Sequence, residues 1–401
     1  MPEAPQGRTP SFEQLQRWRR DLHASPETGF HEVWTSDYVA SALAAMGLSV
    51  TRRIGGTGVV ASLTAGAGSR AIGLRADMDA LALQEQGDRP HRSRHDGTMH
   101  ACGHDGHMAM LLGAAARLSA DRDFDGTVRF IFQPAEEHGR GAKAMIADGL
   151  FDRFPIDAIY GLHNMPGTPA GLLHTRVGGI MASEDNFEIT IIGSGGHAAR
   201  PHMVIDPIVI GAEIVLALQT VVARSVDPAR PAVVSCTEFH TDGVRNAIPG
   251  RVVIRGDTRS FAPEVQALLE SRMREICEGI CAAHGATCRF TYTHEFEPTV
   301  NDPRCVAVAV DAARASLPAD LVDGDCEAVM ASEDFGAFLR VVPGCFVFLG
   351  NGTESGAGGT PLHSADYDFN DDVLETGVQF YVDLVHRELP AGLPTGLPTG
   401  Q

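Results

Sequence analysis

The chain has 401 residues, 44% of them apolar; this is a globular composition and more length than one ordinary core absorbs, so two domains, or one with an insertion, are expected. Its 32 basic against 51 acidic residues give a formal charge of -19, which repels phosphate backbones and anionic lipid and argues against nucleic acid or a membrane as partner. No apolar run approaches the roughly 20 residues of a membrane span, the N-terminus lacks a leader pattern, and eight cysteines are too sparse for a disulfide scaffold, so a soluble cytoplasmic protein is expected.

Residues 1–10 and the Gly/Pro-rich 391–401 have the composition of disordered ends. Between them, helical spacing over about 11–24 and 32–46 precedes strand-like runs at Val59 to Leu63 and Ala71 to Ala76, the second leading into Asp77 and Asp79. A strand ending in carboxylates is where an open α/β sheet places its chemistry. Next comes MHACGHDGHMAMLLGAA, starting at Met99. An extended backbone from Cys102 to His104 turns both side chains toward one point, and thiolate with neutral imidazole suits a borderline-soft divalent ion. From Gly106 the apolar positions Met110, Leu111, Ala114, Ala115 and Leu118 recur at helical spacing, with Asp105 placed to cap the start. Taken alone, the pair also reads as a small buried thiol and a capping histidine.

The strand TVRFIFQP, Thr127 to Pro134, then leads to Glu136 and Glu137 and to a helix from Ala142 to Ala147. A further strand, Ile156 to Leu162, ends at His163, and Cys345 to Leu349 leads through a Gly-rich loop to His363. The stretch from Asn186 to about Glu295 changes pattern to strand, helix, strand, strand, helix, strand, the βαββαβ order of a ferredoxin-like unit. The expected organisation is an α/β catalytic domain in two parts, 11–183 and 298–390, with an inserted domain at 184–297.

Four strand ends or loops of the outer domain thus carry Cys102 with His104, Glu136 with Glu137, His163 and His363. That is more donors than one closed tetrahedral ion needs, and it suits two ions with an open position for water. Neighbouring carboxylates do not easily chelate one ion together along an extended backbone, so Glu137 is assigned to metal and Glu136 to the water as general base; a solvated acid pair opening a helix is the alternative. His163 could equally be a satisfied buried histidine, and His107 is expected to pack beside the site rather than bind. Asp77 is read as the carboxylate that orients a metal-binding imidazole, with a helix cap as its alternative. Cys277, Cys281, His284 and Cys288 imitate a zinc spacing, but the stripe Val265, Leu268, Leu269, Ile276 and Ile280 makes the first two core residues of a helix.

The runs RADMDAL, MHACGHDGH, FQPAEE, GLHN, GGHAARPH, NAIPG, DTRSF and PLHS, in this order from Arg75 to Ser364, closely resemble amidohydrolases of the aminoacylase, hippurate hydrolase and indoleacetyl-amino acid hydrolase type, relatives of carboxypeptidase G. The resemblance spans nearly the whole folded chain. It implies a dinuclear zinc or manganese hydrolase cleaving the amide of N-acyl amino acids, with a metal-bearing α/β domain and an inserted lid that also makes a homodimer. By motif it implies Cys102, His104, Glu137, His163 and His363 as metal ligands, Glu136 as general base and Asp77 as the orienting aspartate. It further implies that His197 steadies the oxyanion, from the partner subunit's lid, and that Asn246 and Arg259 hold the substrate carboxylate. The chain departs in Ala82, where many members place proline, and in the Gly-rich loop Gly350 to Gly359; both bear on which acyl group and amino acid are taken. Rival readings are a carboxypeptidase or dipeptidase on the same site and a silent binding protein, which would need a missing base or ligand. A zinc nucleobase deaminase is disfavoured because the P-C-x-x-C half of its signature is absent.

Overall fold

In the computed structural model, which describes residues 9–391, the chain divides into two compact units, one of Met1–Gly178, Asn301–Glu327 and Asp334–Gln401 and the other of Gly179–Val300 with Ala328–Glu333. Most of the two ends expected to be disordered, residues 1–8 and 392–401, lies outside the described residues; Pro10 is buried. The first unit opens with α1 (Phe12–His23), α2 (Val33–Ala45), β1 (Ser49–Ile54), β2 (Gly58–Ala65), β3 (Ala71–Asp77), α3 (His104–Asp121) and β4 (Gly126–Gln133). It continues through α4 (Gly141–Ala147), α5 (Leu150–Arg153) and β5 (Ala158–Pro166) to β6 (Leu173–His174), after which β7 (Gly178–Met181) opens the second unit.

The second unit continues with β8 (Glu184–Ile192), β9 (Gly196–His197), α6 (Pro207–Ser225), β10 (Ala232–Thr241), β11 (Ala247–Ile248), β12 (Arg251–Ser260), α7 (Pro263–Ala283), β13 (Thr287–Phe296) and β14 (Thr299–Asn301). Its four long strands form an antiparallel sheet in the order β10-β12-β8-β13, the arrangement a ferredoxin-like βαββαβ chain takes. Cys277 and Cys281 are buried in this unit's core with Val265, Leu269 and Met273. Residues 328–333, which the sequence assigns to the outer domain, fall in this unit because Val329 bridges Met181 and the Ala182 N–H donates to the Ala331 carbonyl at 3.0 Å. The expectation that no apolar run approaches a membrane span does not hold for α6, which has 19 residues and a mean hydropathy of 1.7 over its most apolar 18. Asp206 caps it and Pro207 opens it, and Ile210, Ile214, Leu218 and Val221 form the face buried in the unit's core.

The chain then completes the first unit with α8 (Pro303–Ser316), β15 (Val322–Asp323), α9 (Phe335–Leu339), β16 (Gly344–Gly352) and α10 (Leu374–Glu388). The sheet of this unit has eight strands in the order β1-β2-β4-β3-β5-β16-β6-β15. Its middle, β4-β3-β5-β16, is parallel, and every residue of β3 and β16 is buried, so these strands read as continuous apolar runs. Several short elements and two longer ones, β1 and α10, lie outside the sequence-based expectations. The strand β1 carries Arg52 and Arg53 and alternates weakly at the sheet edge, whereas α10 has a clear stripe in Val378, Tyr381, Leu384 and Val385. The helix α3, buried from His104 to Ala116, packs on β3, so its first residues meet the carboxyl ends of the parallel strands, where open α/β sheets place ligands.

Candidate metal centre

Four segments of the first unit converge there. The ligand atoms of Cys102, His104 and His163 all lie within 4.8 Å of one another, as do those of Cys102, Glu137 and His363 and those of His104, Glu136 and Glu137. Cys102 Sγ is 3.5 Å from His163 Nε2, and Glu137 Oε1 is 3.9 Å from His104 Nε2 and 3.5 Å from His363 Nε2. Cys102 and His104 converge for a reason the extended-backbone expectation missed. Gly103 between them is left-handed, at φ 93°, and serves as the N-cap of α3, a place where a Cβ would strike the Asn164 side chain. Asp105 is accordingly not the cap. Its Oδ2 takes His23 Nδ1 at 2.8 Å and lies 3.7 Å from Arg19, behind the site.

The two inner imidazoles are fixed in one tautomer. His104 Nδ1 donates to the Asp79 carbonyl at 2.8 Å and His163 Nδ1 to the Asn164 carbonyl at 2.7 Å, which turns each Nε2 toward the centre. Buried His104 Nε2 has no hydrogen-bond partner, and neither has Glu137 Oε1. Burial holds His163 well below the usual imidazole range, helped by the neighbouring imidazoles of His107 and His104, so the ring is neutral and a competent donor to metal. In His104 burial acts the same way but is overcome by the charges of Asp77, Asp79 and Glu137, which raise it to about 10. So much buried negative charge calls for cations, and converging thiol, imidazole and carboxylate groups suit divalent ions of borderline softness. The residues present therefore fit a metal pair.

His107 does not point at the centre. Its Nδ1 contacts Asp77 Oδ1 and its Nε2 contacts Asn164 Oδ1, both at 2.7 Å. Asp77 does orient an imidazole, but that of His107. Burial opposes its charge, yet His104, His107 and Arg75 outweigh burial and hold it well below the carboxylate range. The carboxylate that grips the catalytic loop is Asp79: Oδ1 accepts the Glu136 N–H and Oδ2 the Glu137 N–H, each at 3.1 Å. Sequence reading placed Asp79 at the strand end without a role, although D-x-D at a strand terminus puts both acids on one side. His363 stands apart from the buried donors, with its side chain 55% exposed and its backbone at φ 62°; Ala135, just ahead of Glu136, is also left-handed, at φ 49°. Such strain in non-glycine residues gathers at functional sites.

The residues the resemblance implies for substrate lie in the second unit. His197 and Ala247 face each other on the β9/β11 ribbon, and the Ala198 N–H donates to the Asn246 carbonyl at 3.1 Å, so His197 and Asn246 are held side by side and both are exposed. Arg259 sits on β12, where its guanidinium contacts Asp257 at 2.6 Å, Ser332 at 2.6 Å and Glu184 at 2.9 Å.

Comparison with known proteins agrees with this geometry. The model of peptidase family M20/M25/M40 matches residues 73–387. The chain is 38% identical over 376 residues to a hippurate hydrolase of Campylobacter jejuni, covering 94% of this chain and 97% of that protein. It is 42% identical over 293 residues to an N-acyl-L-amino acid amidohydrolase of Geobacillus stearothermophilus, covering 72% and 79% respectively. Among solved structures, a Bacillus subtilis protein described as a dinuclear metal binding peptidase from the M20 family superposes with a TM-score of 0.82 at 33% identity, covering 95% of this chain and 99% of that one.

Proposed function

Because this chain belongs to peptidase family M20/M25/M40, we propose that its hydrolysis of amides is directed at N-acyl amino acids, releasing a carboxylic acid and a free amino acid. The chain is a metal-dependent amidohydrolase that uses two divalent ions. The observation that carries the reading is the convergence of Cys102, His104, Glu137, His163 and His363 on one centre with the Glu136 carboxylate beside it, 3.9 Å from His104 Nε2. We assign the first five as ligands, with zinc or manganese as the metal, since thiolate and imidazole favour the former and carboxylate accommodates the latter. Bound there, the ions supply a more acidic water and a Lewis-acid hold on the scissile carbonyl.

The chain's own residues do the rest. Glu136 takes the proton from the attacking water and hands it to the nitrogen of the departing amino acid. Asp79 and Asp77 keep the loop and the imidazole layer in place. His197 donates to the developing oxyanion, and Arg259 with Asn246 grips the carboxylate of the amino-acid half, which a guanidinium fork matches bidentately. The contacts of Arg259 with Asp257 and Glu184 keep that fork oriented. The assembly is a homodimer in which His197 serves the partner's site. In support, strand β10 is an unpaired sheet edge and the adjoining helix α6 exposes Val209 at 59% and Leu216 at 73%, an apolar face beside an open edge. Eight free cysteines support a reducing, cytoplasmic setting.

The test is a panel of acetyl-, benzoyl-, indoleacetyl- and long-chain-acyl amino acids set against dipeptides with a free amino terminus. Turnover of the blocked substrates, lost on Arg259→Ala for the acid but not for its methyl ester, is the expected result. A requirement for a free α-amino group on the acyl side would instead make the protein a dipeptidase.

A further inference from the structure

The loop that presents Glu136 is unusual in how its backbone is held. It leaves β4 at Gln133, turns through Pro134, and places Ala135 in the left-handed region at φ 49°, a conformation an alanine adopts only when its surroundings impose it. Three successive backbone N–H groups, those of Ala135, Glu136 and Glu137, are then taken by carboxylates. Asp79 receives the second and third. The first goes to Glu32, the residue that leads into α2, whose Oε1 accepts it at 2.8 Å while Oε2 accepts the Thr57 hydroxyl at 2.5 Å. Glu32 is fully buried and comes from a segment 103 residues earlier. A buried carboxylate is costly to keep unless its hydrogen bonds do something an apolar residue could not. Burial, the leading cause, together with the charge of Asp79, pushes this carboxyl up to about 6, so it is held there against its own preference for water.

We propose that Glu32 is a positioning residue for the general base: by fixing the Ala135 N–H it imposes the left-handed turn that aims the Glu136 side chain at the reacting water. This rests on the reading of Glu136 as the base. Without the acceptor, the Pro134–Ala135 peptide is free to rotate, Ala135 relaxes to negative φ, and the carboxylate that follows swings away. Asp79 still holds the next two N–H groups, so Glu137 is retained and the metal pair with it. Thus Glu32 controls the rate of the chemical step and not the binding of substrate or metal.

Glu32→Ala, Glu32→Gln and Glu32→Asp test this in the metal-loaded full chain, with metal content by elemental analysis and thermal unfolding measured beside kcat and KM. Glutamine keeps an oxygen for the Ala135 N–H, and Thr57 can turn its hydroxyl to accept from the amide, so kcat should stay within about threefold of wild type. Alanine removes the acceptor and aspartate withdraws it by one methylene, so each should lower kcat by about tenfold to a hundredfold with KM nearly unchanged, the cost of misplacing a catalytic group by about 1 Å. Both should keep wild-type metal content. Combined with Glu136→Gln, Glu32→Ala should add no further loss of kcat, whereas its effect on unfolding temperature should persist.

A Glu32→Ala enzyme with wild-type kcat and only a lowered unfolding temperature overturns the inference, as does a full additional loss in the double variant. If the alanine variant does not fold, the order of the other two decides, and aspartate outperforming glutamine overturns it equally. Near-wild-type kcat in Glu136→Gln alone would instead show that the reading of the base has failed, which none of the Glu32 variants can mimic.

Discussion

Replacing Asp79 by asparagine keeps the side chain's shape while removing its charge and one of its two acceptors. In the wild type Oδ1 and Oδ2 accept the Glu136 and Glu137 N–H groups at 3.1 Å each, and the residue is 1% exposed, so water cannot substitute. An amide offers one oxygen and one NH2, so one loop N–H must face a donor. A hydrogen bond to a charged group is worth about 1.5–3 kcal/mol and a buried donor left unpaired costs about 1–3 kcal/mol; these overlap, so a loss of about 2–4 kcal/mol in folding free energy is expected. The displaced loop carries both the base and a ligand, so kcat should fall by about a hundredfold, the effect of an error of about 1 Å in placement. Urea unfolding and kcat with saturating metal measure the two. A variant with wild-type midpoint and wild-type kcat would refute the view that Asp79 grips this loop.

Behind the centre, buried His23 lies between Asp105 at 2.8 Å and Glu85 at 3.3 Å. Burial alone would depress this imidazole, but the two carboxylates raise it from 6.5 to about 9. Since the folded value exceeds the unfolded one, its stabilisation is complete below about pH 6.5 and is lost as pH rises through about 9, up to roughly 3 kcal/mol. Urea unfolding from pH 6 to 10 should show this decline in the wild type and a flatter profile in His23→Asn; identical profiles would exclude the pair as its source. Mixing inactive His197→Ala with inactive Glu136→Gln should restore activity toward about a quarter of wild type once subunits exchange, because one site in each heterodimer regains both groups. No recovery despite demonstrated heterodimers rules out catalysis in trans.

The ferredoxin-like insertion was legible because each of its strands and helices carries its own periodicity and its two long helices begin with proline after Asp206 and Ala262. The parallel sheet was legible from apolar runs ending in acids or histidine. The donor set could be read because Cys, His and Glu recur at strand ends, yet the reason for its convergence could not. Cys102 and His104 meet through a left-handed Gly103, and the acid pair is aimed through a left-handed Ala135; both depend on contacts with residues 61 and 103 positions away in sequence, Asn164 and Glu32. The partition of Asp77 and Asp79 escaped for the same reason. Two acids at period two look alike in sequence, and only the fold shows that one meets His107 and the other the loop.

If Glu136 moves the proton while other residues hold the metals, Glu136→Gln separates the two roles. Elemental analysis and kcat on an N-acyl amino acid are measured on the same preparation. Metal content should match wild type, at two ions per chain, while kcat falls by about 10² to 10⁴. Full metal content with near-wild-type kcat would contradict it.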